Sequence, residues 1–208
     1  MTRRSYGQHC ALARALDIVG ERWTLLLVRE LLGGPKRYRD LRANLHAMGT
    51  NLLASRLRDL QDAGLVEHTD PHYALTDRGR QLEAAVLALA EFGAPLLGEK
   101  NPDDHWSAAW NPVALKYAFR PERAAATRVV IEFRVDDHLT QARIDAGTIE
   151  TSGAPEWSPD ASLQSSGETF LAIASGERRL KDAEGAGEVV ITGSRRALRA
   201  GLRAFGLA

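Results

Sequence analysis

The stretch from Thr50 to Thr76 changes its hydrophobic period twice, and this restricts the fold more than any other feature of the chain. Leu53, Leu57 and Leu60 recur at i, i+4 and i+7, which sets them on one face of a helix. Asn51, Ser55, Arg58 and Asp62 fall on the opposite face at helical spacing. Gly64 is placed to end that helix. "LVEHT" and "YALT" then read as two short strands around "DPHY", where Asp-Pro is a turn signal. Thr76 suits the cap of the next helix, "DRGRQLEAAVLALAEFG", whose apolar stripe is Leu82, Val86, Leu89 and Phe92.

Three more helical patterns precede this run. "CALARALDIV" stops at Gly20, and "RWTLLLVRELLGG" is apolar enough to be a buried central helix. "RYRDLRANL" puts Leu41 and Leu45 inward and Arg39 and Arg42 outward. Helices, a β-hairpin and a further helix, in that order, make a winged helix-turn-helix, expected over residues 1–98. After the linker-like "GEKNPDDHW", the pattern changes: "RVVIEFRV", "LTQARID", "GTIETSG" and "EVVITGS" read as strands. "ETFLAIASGE" and "SRRALRAGLRAFGL" read as helices. Residues 99–208 are therefore expected to be a smaller-sheet α+β domain of four or five strands, and the whole chain is α+β.

Composition narrows the class. With 44% hydrophobic and 26% charged residues in 208, the chain is expected to fold rather than stay disordered. It has no apolar run near the roughly 18 residues of a membrane span, so no membrane partner is expected. "MTRRSYGQHC" lacks the apolar core of a secretory signal, and the single Cys10 excludes an internal disulfide, so a cytoplasmic location is expected. The formal net charge is zero, yet residues 1–60 hold eleven Arg or Lys against five Asp or Glu. Such an excess at one end of a neutral chain suits a local phosphate-binding surface. Ordinary solvated arginines would give the same count.

In a helix-turn-helix the second helix enters the major groove and the first crosses the backbone. "HAMGTNLLASRL" has what that second helix needs: one apolar side, a tight start at Gly49 or Thr50, and polar side chains near its N-terminus. Thr50, Asn51, Ser55 and Arg58 are the candidates for base edges, since Arg matches guanine and Asn matches adenine. Arg37, Arg39 and Arg56 are candidates for phosphates, which position a protein without specifying sequence. A wing carrying His68 and His72 would lie against the neighbouring sugar-phosphate backbone.

The spaced pattern "ALDIVGERWTLLLVREL", "GPKRYRDL", "LLASRLRDLQDAGLV" and "YALTDRG" resembles the HxlR-type winged-helix transcriptional regulators over residues 8–97. The resemblance implies a homodimer, with the first and last helices of the domain forming much of the interface. It also implies double-stranded DNA as partner, at a paired, palindromic operator. More loosely, "SPDASLQSSGETFLAIASGE" to "GEVVITGSRRALRAGL" resembles a sterol carrier protein-like domain. That resemblance implies a sheet and helices around an apolar cavity for a small hydrophobic ligand. Trp106, Trp110, Phe119, Phe133 and Phe170 are the candidate cavity or interdomain residues, with plain core packing as the alternative for each.

Two sharper readings compete with ordinary ones. Cys10, on the first helix, occupies a place where some HxlR-type proteins carry a sensing thiol, and Arg3, Arg4, His9 and Arg14 stand near it in sequence. A lone cysteine on a helix is more often a small core residue. His68, Asp70 and His72 fall within five residues, but nothing elsewhere completes a zinc tetrahedron. No metal, no cofactor and no nucleophile–base constellation is expected, and the chain is read as a regulator rather than an enzyme.

Overall fold

The computed structural model describes residues 5–98, 101 and 104–207. Arg3, Arg4 and most of the linker run at 99–103 lie outside the described residues. The chain divides into two compact units, the first ending at Phe92 and the second beginning at Gly93. No helix among the described residues is long and apolar enough to cross a membrane.

The first unit begins with α1 (Ala11–Val19), α2 (Thr24–Leu32), the two-residue strand β1 (Lys36–Arg37), α3 (Tyr38–Asn44) and α4 (Thr50–Asp62). It continues through β2 (Val66–Thr69), β3 (His72–Leu75), α5 (Asp77–Arg80) and α6 (Glu83–Gly93). Its core is built from the apolar faces that the periodicity marks: Leu27, Val28 and Leu31 of α2, Leu41 of α3, and Leu53, Leu57 and Leu60 of α4 are all buried. Gly64 follows α4 at φ +68°, a left-handed position that glycine takes without steric cost. Thr76 caps α5 as expected, its Oγ1 accepting from the Gly79 N–H at 3.1 Å and donating to the Gly64 carbonyl at 2.7 Å.

Two features depart from the expectation. The helix from Asp77 is not continuous: Leu82 N bonds the Gly79 carbonyl at 3.1 Å, a tightened turn that separates α5 from α6. The hairpin is also not alone. β1 pairs antiparallel with β3, giving a three-stranded sheet in the order β1-β3-β2.

The second unit contains α7 (Asn111–Ala118), α8 (Pro121–Ala124), β4 (Arg128–Val135), β5 (His138–Asp145), β6 (Thr148–Ser152) and β7 (Ala161–Ser165). It ends with α9 (Gly167–Ser175), α10 (Leu180–Gly185), β8 (Val189–Gly193) and α11 (Arg195–Arg203). Its five strands run in the order β6-β5-β4-β7-β8, with β4 and β7 parallel and the other pairs antiparallel. Alternate residues Ile131, Phe133 and Val135 of β4 point into the core, where α11 supplies Leu198 and Leu202. Gly201 lets α11 sit close, since a Cβ there would stand 2.6 Å from Ile131 Cγ1.

The link from edge strand β6 to β7 is held to the other side of the sheet by Gln141. That fully buried amide donates to the Glu132 carboxylate at 3.0 Å and to the Trp157 carbonyl at 2.9 Å. Its oxygen accepts the N–H groups of Glu156 and Trp157, each at 2.9 Å. All the polar capacity of a buried side chain is thereby used, which avoids the cost of an orphaned group.

Candidate nucleic-acid interface

Helix α4 starts at Gly49, whose extended φ −62°, ψ 146° turns the chain into the helix without a side-chain cap. Its leucines face the core, so its other side is left to solvent. Thr50, Asn51 and Arg58 are exposed there, and Ser55 is half-buried on the same side. Tyr38, the first residue of α3, donates its hydroxyl to the Thr50 carbonyl at 3.0 Å. This bond ties the start of α4 to α3, the helix that precedes it across the turn. Asp62 is exposed as well, but lies about three turns further along α4 than Asn51.

Strand β1 makes the wing a basic edge. Arg37 is the direct antiparallel partner of His72, and Lys36 that of Tyr73. Thr69 faces His72 on its other side, so Arg37, His72 and Thr69 form one cross-strand row. Sequence reasoning named Arg37 and His72 separately, and the third strand brings them together. It missed Lys36, whose signal was only its place beside Arg37. Arg39 is exposed on α3 and pairs with Asp40 at 3.3 Å, a contact weak enough in solvent to yield to a phosphate. His68 stacks on Tyr73, with ring centroids 4.2 Å apart.

Arg56, the third phosphate candidate, is paired with carboxylates of the protein itself. Its side chain is only 17% exposed, and its guanidinium donates to Glu21 Oε2 and to Asp59 Oδ2, both at 2.9 Å. Glu21 is 35 residues away in sequence, so no local pattern could have announced the pair. Arg56 lies one position beyond Ser55 and therefore turns about 100° away from the stripe that carries it.

Helices α1 and α6 keep apolar side chains in solvent. Leu12 is 66% exposed, Leu89 52% and Phe92 76%, while Val86 on the same α6 stripe is buried. Cys10 is exposed at the N-terminal boundary of α1.

The five candidate ligand residues are placed mostly in the core of the second unit. Phe133 is fully buried, with ring centroids 6.0 Å from Phe170 and 6.4 Å from Phe205. Phe119 reaches the same cluster through Phe205 at 6.2 Å, and Trp106 stacks on Phe170 at 6.4 Å. Phe205, which joins Phe119 to Phe133, was not singled out from sequence. Trp110 stands apart, edge-on to His105. These rings pack on one another; a surface pocket of about 340 Å³ beside α11, lined in part by Arg128, Val129, Ser194 and Arg196, contains none of them.

The family model described as HxlR-like helix-turn-helix matches residues 18–101. Helix-turn-helix transcriptional regulators of Mycobacterium bovis and Mycobacterium tuberculosis are each 42% identical over 90 residues, covering 40% of this chain and 56% of theirs. The chain thus spans little more than half the length of these two relatives. The regulator YvaP of Bacillus subtilis is 31% identical over 104 residues, covering 47% of this chain and 83% of its own. Among solved structures, quinone-bound YodB from B. subtilis aligns at 27% identity with a TM-score of 0.39, over 40% of this chain and 96% of that one.

Proposed function

The chain belongs to the HxlR-like helix-turn-helix family, and from that premise we propose that it is a DNA-binding transcriptional regulator, not an enzyme, that acts as a homodimer on a palindromic operator in the cytoplasm. The observation that carries this reading is the juxtaposition in the first unit of the exposed face of α4 with the basic wing row of Arg37 and His72. Thr50, Asn51, Ser55 and Arg58 read base edges, and Lys36, Arg37 and Arg39 hold phosphates. The exposed Leu12 of α1 and Leu89 and Phe92 of α6 supply the apolar area of a dimer interface. The experiment is enrichment of duplexes by the full chain from a random-sequence pool, followed by binding of the enriched duplex to variants. Asn51→Ala and Arg58→Ala are expected each to cost about 1–3 kcal/mol at their own base positions. Unchanged sequence preference in both variants removes α4 from its role.

The second unit is assigned the response to a small hydrophobic ligand, in keeping with its sterol carrier protein-like pattern. The half-buried Trp106–Phe170 stack at the margin of the aromatic core supports this assignment, because a ligand entering there would replace ring contacts with its own. To act as a signal the ligand must bind the DNA-competent and DNA-incompetent states with different affinity. Quenching of tryptophan emission by a hydrophobic probe, lost in Phe170→Ala, is the corresponding measurement.

A second reading is favoured by the exposure of Cys10 at the start of α1. A thiol there meets oxidants or electrophiles directly and pairs only with a thiol from outside its own chain, since the chain has one cysteine. Cys10→Ser is expected to abolish any oxidant response of DNA binding; a response that survives it excludes the thiol.

A further inference from the structure

We infer that Arg56 is a positioning residue for DNA recognition, which sets the recognition helix relative to α1 through Glu21 rather than touching DNA itself. The inference rests on the reading of α4 as the recognition helix. Its guanidinium is held between two carboxylates, Glu21 Oε2 on Nη2 and Asp59 Oδ2 on Nη1, each at 2.9 Å. Asp59 belongs to α4 itself, so that bond fixes the rotamer of Arg56 along its own helix. Glu21 belongs to the corner between α1 and α2, so the other bond crosses between elements.

That corner is a stiff anchor. Gly20 ends α1 with its N–H on the Leu16 carbonyl at 2.9 Å, and Thr24 N bonds the Glu21 carbonyl at 3.1 Å. Trp23 sits between them in a left-handed conformation, φ +77°, which a bulky side chain adopts only where its surroundings hold it there. The Arg22 guanidinium lies 5.3 Å above the Trp23 ring. Arg56 therefore links a rigid corner to the helix that carries Asn51 and Ser55. Rotation of α4 about its axis would swing those side chains across base edges.

The close-packed leucine stripe limits such rotation but supplies no directional bond. A planar guanidinium bonded to a carboxylate on α4 and to another on the α1–α2 corner adds that directional link. The pair is too exposed on the Glu21 side, at 54%, to matter much for stability, so its effect is geometric. It also joins the recognition helix to α1, whose Leu12 and Leu16 face solvent on the proposed dimer surface. Half-site spacing in a dimer depends on that connection.

The test uses the full chain and a duplex enriched by the wild type from a random-sequence pool, with a scrambled duplex of the same length as control. Variants are Glu21→Gln, Arg56→Gln and the pair together, each first shown by thermal unfolding to be folded at the assay temperature. Glu21→Gln removes a negative charge, so simple electrostatics predicts tighter binding to any DNA. The inference predicts the opposite on the enriched duplex: a loss of about threefold to tenfold, in the range of coupling between contacting residues. Scrambled-duplex binding does not weaken, and the double variant loses no more than Arg56→Gln alone. The salt dependence of Arg56→Gln keeps the wild-type slope, because no phosphate contact is lost. Unchanged or tighter binding by Glu21→Gln, or a slope lowered by about one in Arg56→Gln, overturns the inference and makes Arg56 a phosphate ligand. A wild-type chain that enriches no duplex overturns the DNA-binding reading itself and this inference with it.

Discussion

The two units spend their apolar residues differently. In the second, aromatic side chains close on one another: Phe119, Phe133, Phe170, Phe205 and Trp106 form one chain of ring contacts over the sheet. In the first, leucines fill a small core while others of equal size on α1 and α6 remain in solvent. Charge is uneven within the first unit itself, since residues 1–60 carry an excess of six basic side chains and residues 61–92 an excess of four acidic ones. The second unit closes its aromatic rings on one another while Leu96, Leu97 and Val190 stay exposed, and the first leaves leucines of α1 and α6 in solvent. On α6, Val86 is buried while Leu89 and Phe92 of the same stripe stay exposed.

The largest test of this contrast is Phe133→Ala. Removing a fully buried ring is expected to cost about 3–5 kcal/mol of stability. Denaturant unfolding read by tryptophan emission measures it, because Trp106, Trp110 and Trp157 lie in the second unit and only Trp23 in the first. A loss under 1 kcal/mol would mean that the aromatic cluster is loosely packed and open to a ligand.

In the first unit, Gly79→Ala is the sharper probe. Alanine in a helix normally gains about 0.5–1 kcal/mol over glycine. Here its Cβ would stand 2.0 Å from the Leu65 carbonyl oxygen, a backbone atom that cannot rotate away. The net result is expected to be a loss of about 2 kcal/mol, with the wing displaced and DNA binding weakened. A stabilised variant would show that α5 does not press on the start of β2.

The smallest effect concerns pH. Hydrogen bonding from Arg195 outweighs desolvation and, with a lesser contribution from the guanidinium charge, holds the Glu184 carboxyl below the usual glutamate value. A lowered folded value means that the stabilisation is present above the ordinary glutamate range and lost as pH falls through the folded value. Glu184→Gln is therefore expected to lower the thermal midpoint slightly at pH 7 and not at pH 2–3. Equal shifts at both pH values would assign the effect to shape rather than charge.

Several elements were legible because their signals are local. The leucine stripe of α4, the stop at Gly64, the Thr76 cap and the β2–β3 turn each need only neighbouring residues. β1 was not legible: two residues have no period, and Lys36 and Arg37 are a strand only because β3 lies beside them. β7 and α7 were missed for related reasons. "ASLQS" alternates weakly, and "NPVALKYA" begins with a proline that reads equally well as a turn. In the site, the exposure of Thr50, Asn51 and Arg58 followed from the helical period, whereas the pairing of Arg56 with Glu21 did not.

The sequence by itself determined the succession of α1 to α4 and the β2–β3 hairpin, the family to which residues 18–101 belong, and which face of α4 is apolar. These depend on hydrophobic period and capping, which act over a few residues. Only the tertiary structure decided that Arg37 stands beside His72, that Phe205 joins the aromatic rings, and that Arg56 reaches Glu21. Each of these joins residues at least 35 positions apart, where the chain's return path, not its local preference, sets the distance.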